Sequence, residues 1–202
     1  MINYQEKWFK DDCNNNCAID FPINENSTVI DLGAYKGIWA KQIINKYNPN
    51  IILVEPNYDL CLFLKEEFKN NPKVKIINVG ISDETKNTTL YLNNDGSSMY
   101  VKTSQALDIS CITLDQLLDN LNISHVDLMQ INIEGEEYKV LSNMISTESI
   151  KRIKNIQIQF HDFIENAVEK RLDIQSGLKS LKFINIYDYP FVFEAWKHND
   201  NM

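Results

Sequence analysis

Apolar and polar positions along the chain follow two alternating rhythms. Short apolar runs closed by turn residues mark buried strands, and apolar residues recurring every three or four positions mark helices. Thr28 to Leu32 is an apolar strand that stops at Gly33. Ile38 to Tyr47 then sets Trp39, Ile43, Ile44 and Tyr47 at helical spacing, and Asn50 to Glu55 is a second strand halted by Pro56. Tyr58 to Asn70 carries Leu60, Phe63, Leu64 and Phe68 on one side of a helix, and Val74 to Ile81 forms a third strand. Next, Thr88 to Leu92 and Met99 to Val101 flank Asp95-Gly96, a turn dipeptide that predicts a hairpin. Ile109 to Thr113 reads as a strand, Leu114 to Leu121 as a short helix, Val126 to Ile133 as a fourth core strand and Glu136 to Ile145 as a helix. A fifth strand, Asn155 to Phe160, precedes a helix near Phe163 to Leu181, and Phe183 to Trp196 ends the series as two strands around Pro190.

Repeated strand–helix units predict an α/β, Rossmann-like, doubly wound and mostly parallel sheet with right-handed crossovers and a C-terminal antiparallel hairpin. The predicted organisation is an N-terminal extension over 1–27, one domain over 28–198 and a tail over 199–202. Cys13 to Cys17 and His198 to Met202 read as frayed or loosely held segments. In such sheets ligands bind beyond the carboxyl ends of the strands, where strand order reverses. Functional residues are therefore expected just after strands.

Composition narrows the picture. The 202 residues are 44% hydrophobic and 24% charged, an ordinary globular balance. With 20 basic and 28 acidic residues the formal net charge is −8, which argues against a nucleic-acid partner because that affinity rests on a basic surface. The longest strongly apolar run is Ile51 to Val54, far short of a membrane span. Residues Met1 to Asp12 have no apolar stretch of signal-peptide length, so a cytoplasmic location is expected and membrane insertion is not. Cys13, Cys17, Cys61 and Cys111 lack the two close pairs of a zinc ribbon and are read as reduced thiols, with no metal site.

Two of the 6 glycines fall in one turn, Asp31-Leu32-Gly33-Ala34-Tyr35-Lys36-Gly37. Glycine there lets the backbone approach a ligand, and the helix start beyond it offers free N–H groups. Alone, the turn is better read as a tight strand-to-helix connection. Glu55, closing the second strand, adds a carboxylate where a doubly wound sheet grips ribose hydroxyls, and together the two point to a nucleoside. A third glycine of the Gly-x-Gly-x-x-Gly type is missing, as is the Gly-Lys-Ser/Thr of a phosphate loop, so a dinucleotide or nucleotide triphosphate is not favoured.

The Asp-x-Gly-x-x-x-Gly turn is similar to the S-adenosylmethionine turn of class I methyltransferases, and the chain from about Thr28 to Asp162 resembles the FkbM family among them. The resemblance rests on an ordered set: the glycine turn, Val54-Glu55-Pro56, Val79-Gly80-Ile81-Ser82-Asp83, Gly96-Ser97-Ser98, Thr113-Leu114-Asp115, Gln130 to Gly135 with Glu136 to Leu141, and Ile158-Gln159-Phe160-His161. It implies S-adenosylmethionine as cofactor. Asp31, Gly33, Ala34, Tyr35 and Gly37 would shape the methionine end, Glu55 would hold the ribose, and Ser82 and Asp83 would lie by the adenine. Asn132 and Glu134 would face the sulfonium or the acceptor. The chain departs from the family's common pattern at Gln130, Asn132 and Gln159, where ionisable residues are replaced by neutral amides, and at Tyr35, where asparagine is usual.

Transfer to an alcohol needs alignment and a base to take the hydroxyl proton. His161 directly follows a core strand and has the titration range for this, although a structural histidine bonded to a carbonyl would occupy the same place. Glu134 is the rival base, with helix capping as its plainer role. Asp162 could instead orient His161, but it ranks lower, since neighbouring side chains on a strand point apart. Trp39, Tyr100, Tyr187, Tyr189 and Trp196 offer candidate sugar-stacking rings, helical spacing favouring core packing for Trp39. The expected activity is O-methylation of a sugar, glycan precursor or small natural product. The alternative is a cofactor-binding module of the same fold that has lost turnover.

Overall fold

The computed structural model describes residues 2–93 and 96–199. Its elements are α1 (Tyr4–Lys10), a 3-10 turn (Cys17–Ile19), β1 (Thr28–Leu32), α2 (Ile38–Tyr47), β2 (Asn50–Val54), α3 (Tyr58–Glu67), β3 (Val74–Ile77), β4 (Gly80–Ile81), β5 (Lys86–Tyr91) and β6 (Ala106–Ile112). There follow α4 (Leu114–Asn120), β7 (Leu128–Ile131), α5 (Glu137–Ser146), a second 3-10 turn (Ser149–Arg152), β8 (Asn155–Ile158), α6 (Ala167–Ser180), β9 (Phe183–Tyr189) and β10 (Phe193–His198).

Seven strands form the main sheet in the order β3-β2-β1-β7-β8-β10-β9. β1 pairs in parallel with both β2 and β7, so strand order reverses between β1 and β7. β10 enters antiparallel between β8 and β9, as the predicted terminal hairpin requires. All four residues of β7 and all four of β8 are buried, because helices cover both faces. Alternation divides β1 between them. Ile30 and Leu32 join Leu117 of α4, Leu141 of α5 and Leu178 of α6, whereas Val29 joins Ile43 of α2 and Leu64 of α3. Each such fully buried aliphatic side chain contributes about 1.5–3 kcal/mol.

The structure departs from the sequence expectations at three places. The third strand is broken: Val74–Ile77 pairs with β2, but Gly80–Ile81 leaves to pair with β6 in a separate sheet ordered β4-β6-β5. Asn78 stands at the break, where its side-chain N–H groups donate to the carbonyls of Glu55 (3.0 Å) and Pro56 (2.9 Å). The expected hairpin of Thr88–Leu92 with Met99–Val101 reduces to a single bridge between Tyr91 and Ser98, since β5 takes β6 as its antiparallel partner along its whole length. Asp95 of the expected turn lies outside the described residues.

The third departure is the N-terminal segment. Asn3 caps α1 by accepting from the N–H groups of Gln5 and Glu6, and buried Trp8 packs on Tyr187, Tyr189 and Phe193. Cys13 is fully buried and disulfide-bonded to Cys17, so the reading of a loose segment with reduced thiols is corrected for this pair; Cys61 and Cys111 are free and buried. Three of the five candidate stacking rings are taken up by packing, whereas Trp39 lines a hollow over the glycine turn and Tyr100 is exposed. Tyr187 and Tyr189 are engaged by Trp8, and Trp196 is buried with its indole N–H donated to Glu194.

Candidate active site

A cleft opens at the carboxyl ends of β1, β2 and β7, the reversal point of the sheet. Gly33, Tyr35, Glu55, Asn132 and Glu134 line it together with apolar side chains that include Leu60, Val79, Ile81 and Met99. A second hollow adjoins it, sharing Gly33, Tyr35 and Asn132 and adding Asp31, Ala34, Trp39, Gln130 and Gln157. The two make one crevice that passes over the glycine turn.

Gly33 has φ +82, and a Cβ there would lie 1.9 Å from the carbonyl oxygen of Asn132. Glycine is therefore demanded by the close approach of the turn to the end of β7. Gly37, at φ +69, lines neither hollow; a Cβ there would press on Phe68 and Leu64, so this glycine seats α2 against α3. Between them Tyr35 has φ +49 and donates its backbone N–H to Glu55 Oε2 at 2.9 Å. Asn57 N–H donates to Glu55 Oε1, also at 2.9 Å. Burial raises the Glu55 pKa while these two N–H groups draw it back. Each carboxylate oxygen retains a lone pair for a ligand.

Asp31 is deeper. Burial, and then the neighbouring charge of Glu55, push its carboxyl up to about 7 against a hydrogen bond from Gln130 at 3.4 Å. Asn132 Oδ1 and Gln130 Oε1 are buried without a hydrogen-bond partner, two acceptors at the floor of the crevice. Buried orphan acceptors are costly, and they are satisfied when a ligand brings donors.

At the other end the β7–α5 turn carries Glu134 at φ +52 and Gly135 at φ +106. His161 Nε2 lies 3.3 Å from Glu134 Oε1, and His161 Nδ1 lies 3.0 Å from Glu137 Oε1. Both ring nitrogens face carboxylates, which only accept, so both donate and the ring is an imidazolium. Burial opposes that charge, but the two carboxylates outweigh it and push the pKa up to about 9. Glu134 lines the cleft and His161 stands behind it. A loop closes over this turn: Ser98 Oγ donates to the Glu134 carbonyl at 2.6 Å and the Tyr100 hydroxyl donates to Glu136.

The Methyltransferase FkbM domain matches residues 31–190. The chain belongs to the FkbM methyltransferase family. It is accordingly an S-adenosylmethionine-dependent methyltransferase of class I fold. No curated protein matches this FkbM methyltransferase. Among solved structures it is similar to a putative rRNA-methylase from Clostridium thermocellum (TM-score 0.57, 13% identity, covering 98% of this chain and 97% of that one). It is also similar to the fibrillarin pre-rRNA processing protein of Methanococcus jannaschii (TM-score 0.55, 14% identity, 92% and 76% covered). A third is M. capricolum TrmK in complex with S-adenosyl-homocysteine (TM-score 0.51, 14% identity, 93% and 70% covered). At these identities the likeness shows the fold.

Of the residues singled out in this FkbM methyltransferase, Asp31, Gly33, Ala34, Tyr35, Glu55, Asn132 and Glu134 line the crevice. Gly37 supports it from behind. Ser82 does not line it: it is buried, with its hydroxyl bonded to Asp83 and to Glu136, which itself lines the cleft. Asp83 lines a separate surface hollow with Tyr100, Tyr138 and Lys139. Glu136 and Glu137, both buried, were not singled out from the sequence. Three acids around Gly135 were the available signal, but nothing local told which of them turn inward.

Proposed function

We propose that the crevice holds S-adenosylmethionine across the glycine turn and that the enzyme methylates a hydroxyl of a small neutral acceptor, such as a sugar, glycan precursor or small natural product. The residues suit the cofactor. Glu55, already oriented by two backbone N–H groups, has lone pairs for the ribose hydroxyls, and Leu60, Val79, Ile81 and Met99 give the adenine apolar walls. Asp31, Asn132 and Gln130 collect a carboxylate and two unpartnered amide oxygens where an ammonium group would be received. Ser82 and Asp83 follow the apolar wall at Ile81 without lining the cleft; the Ser82 hydroxyl reaches it only through its bond to Glu136, which does line it. The bound cofactor supplies an electrophilic methyl group on a sulfonium.

The observation that carries O-methylation is Glu134 on the cleft wall with His161 behind it. Glu134 meets the acceptor and takes the hydroxyl proton; His161, held as a cation, fixes the carboxylate and balances its charge. The net charge of −8 favours a neutral acceptor over RNA. The test is transfer of a labelled methyl group to a panel of hydroxylated sugars and small natural products alongside transfer RNA and ribosomal RNA. Label on a small hydroxyl, lost in Glu134→Gln with cofactor affinity retained, is the expected result. Label on RNA alone would reject this acceptor class.

A second reading, a cofactor-binding module without turnover, is favoured by the amides at Gln130, Asn132 and Gln159, which cannot titrate. It predicts cofactor binding and no methylated product from any acceptor.

A further inference from the structure

We propose that Glu137 is the positioning residue of this site: it orients the His161 ring toward Glu134 and at the same time pins the turn that carries Glu134. The proposal rests on the reading that Glu134 meets the acceptor.

Glu137 opens α5 and is wholly buried. An acid at a helix start ordinarily serves its own helix and the solvent. Glu137 is withdrawn from solvent, and its oxygens reach the turn before its helix and the end of a distant strand. Its Oε1 accepts from the His161 backbone N–H at 2.9 Å and stands 3.0 Å from His161 Nδ1. Its Oε2 accepts from the backbone N–H of Gly135 at 2.8 Å. All three contacts therefore go to the residue behind the cleft wall and to the turn beside Glu134.

The arrangement has a directional consequence. Because a carboxylate cannot donate, the Nδ1 proton stays on the ring, and Nε2 is left as the atom that faces Glu134. The ring cannot rotate away without breaking a buried charge-assisted bond, the strong kind. Gly135, at φ +106, cannot be another residue without strain, and a Cβ there would meet Ile164 at 2.6 Å. The hydrogen bond from its N–H ties down the turn in which Glu134 stands at φ +52. One side chain thus fixes both members of the Glu134–His161 pair. The other neighbours of His161 leave its ring nitrogens alone: the Tyr138 hydroxyl donates to its carbonyl at 2.8 Å, and the Phe163 ring lies 5.4 Å away.

The experiment is nitrogen-detected NMR titration of the histidine rings in the full chain saturated with S-adenosylmethionine, with His161→Asn assigning the signal. Glu137→Gln removes one of the two charges facing the ring, so the His161 midpoint should fall by about one pH unit or more, a tenfold change in the imidazolium ratio. Glu134→Gln should leave Nδ1 protonated even where the ring is neutral. An unmoved midpoint in Glu137→Gln, or a neutral ring protonated at Nε2 in Glu134→Gln, overturns the proposal. Should Glu137→Gln fail to fold, the tautomer in Glu134→Gln decides alone. Calorimetry of the wild type with the cofactor runs beside it: an absent cofactor complex counts against the functional reading, whereas the ring signature is read without any acceptor.

Discussion

Individual residues set the chemistry of the crevice through what surrounds them. Glu55 is an unexceptional acid by type, but its carboxylate is aimed by the N–H groups of Tyr35 and Asn57. Glu55→Gln keeps the shape and loses the charge; since hydrogen bonds to charged groups are worth about 1.5–3 kcal/mol, cofactor affinity should fall roughly ten- to a hundredfold per bond in a calorimetric titration. Unchanged affinity would refute the ribose contact. His161 makes a pH prediction. Its folded pKa of about 9 stands above the ordinary 6.5, so its stabilising contribution is complete below 6.5 and disappears as pH rises through 9. A rise of that size corresponds to roughly 3 kcal/mol. Denaturant unfolding of wild type and His161→Asn at pH 6 and pH 10 should show a gap that closes at the higher pH. Asp31, raised to about 7, acts in the same direction over a lower window: its contribution is complete below 3.8 and gone above 7. Asp31 and Glu55 could be picked out in the sequence because each sits at the end of an apolar strand next to a glycine or proline stop. Glu137 could not, because its partner His161 is 24 residues away and on another strand end.

At the scale of elements, the crevice exists because β1 and β7 approach closely enough to exclude a side chain between them. Gly33→Ala would force a Cβ against the Asn132 backbone at 1.9 Å with φ at +82, and backbone cannot give as a side-chain tip can. The expected cost is on the order of 3 kcal/mol, read as a lowered denaturation midpoint, together with loss of cofactor binding. A stable Gly33→Ala with wild-type affinity would show that the turn moves freely from β7. The periodic elements were legible from sequence, α2, α3, α5 and the β1 and β2 strands among them, because their apolar spacing is local information. The β3/β4 break was not: Val74 to Ile81 is continuously strand-like, and only the side chain of Asn78 reaching the end of β2 and the demand of β6 for a partner separate the halves. The same holds for β5, which pairs with β6 rather than with its own neighbouring segment.

For the whole molecule, the N-terminal segment is part of the packed structure. Trp8 is buried against β9 and β10, Trp39 donates its indole N–H to the Ala18 carbonyl at 2.8 Å, and Asn14 and Ala18 form one wall of the hollow over the glycine turn. The Cys13–Cys17 disulfide closes the loop between them, a sequence separation of 4. A loop this short contributes roughly 2 kcal/mol by chain entropy. Reductant, or the double variant Cys13→Ser/Cys17→Ser, should therefore lower the thermal midpoint by about 4–8 °C for a chain of this size. A midpoint indifferent to reductant would mean that Trp8 and its aromatic neighbours hold the segment unaided. Among the described residues no helix is long and apolar enough to cross a membrane.

The order of strands and helices, the reversal turn at Gly33 and the acid closing β2 were written in the sequence by itself, since periodicity, glycine and proline stops and strand-end carboxylates act over a few neighbouring residues. Tertiary structure alone decided which acids near Gly135 turn inward, that His161 is held charged between two of them, that the Ser82 hydroxyl is taken up by Glu136, and that Asn14 and Ala18 of the N-terminal segment form one wall of the crevice. Those outcomes depend on contacts between segments far apart in the chain: the two carboxylates that hold His161 protonated against its burial reach it only in the folded molecule, and no single stretch of sequence contains them.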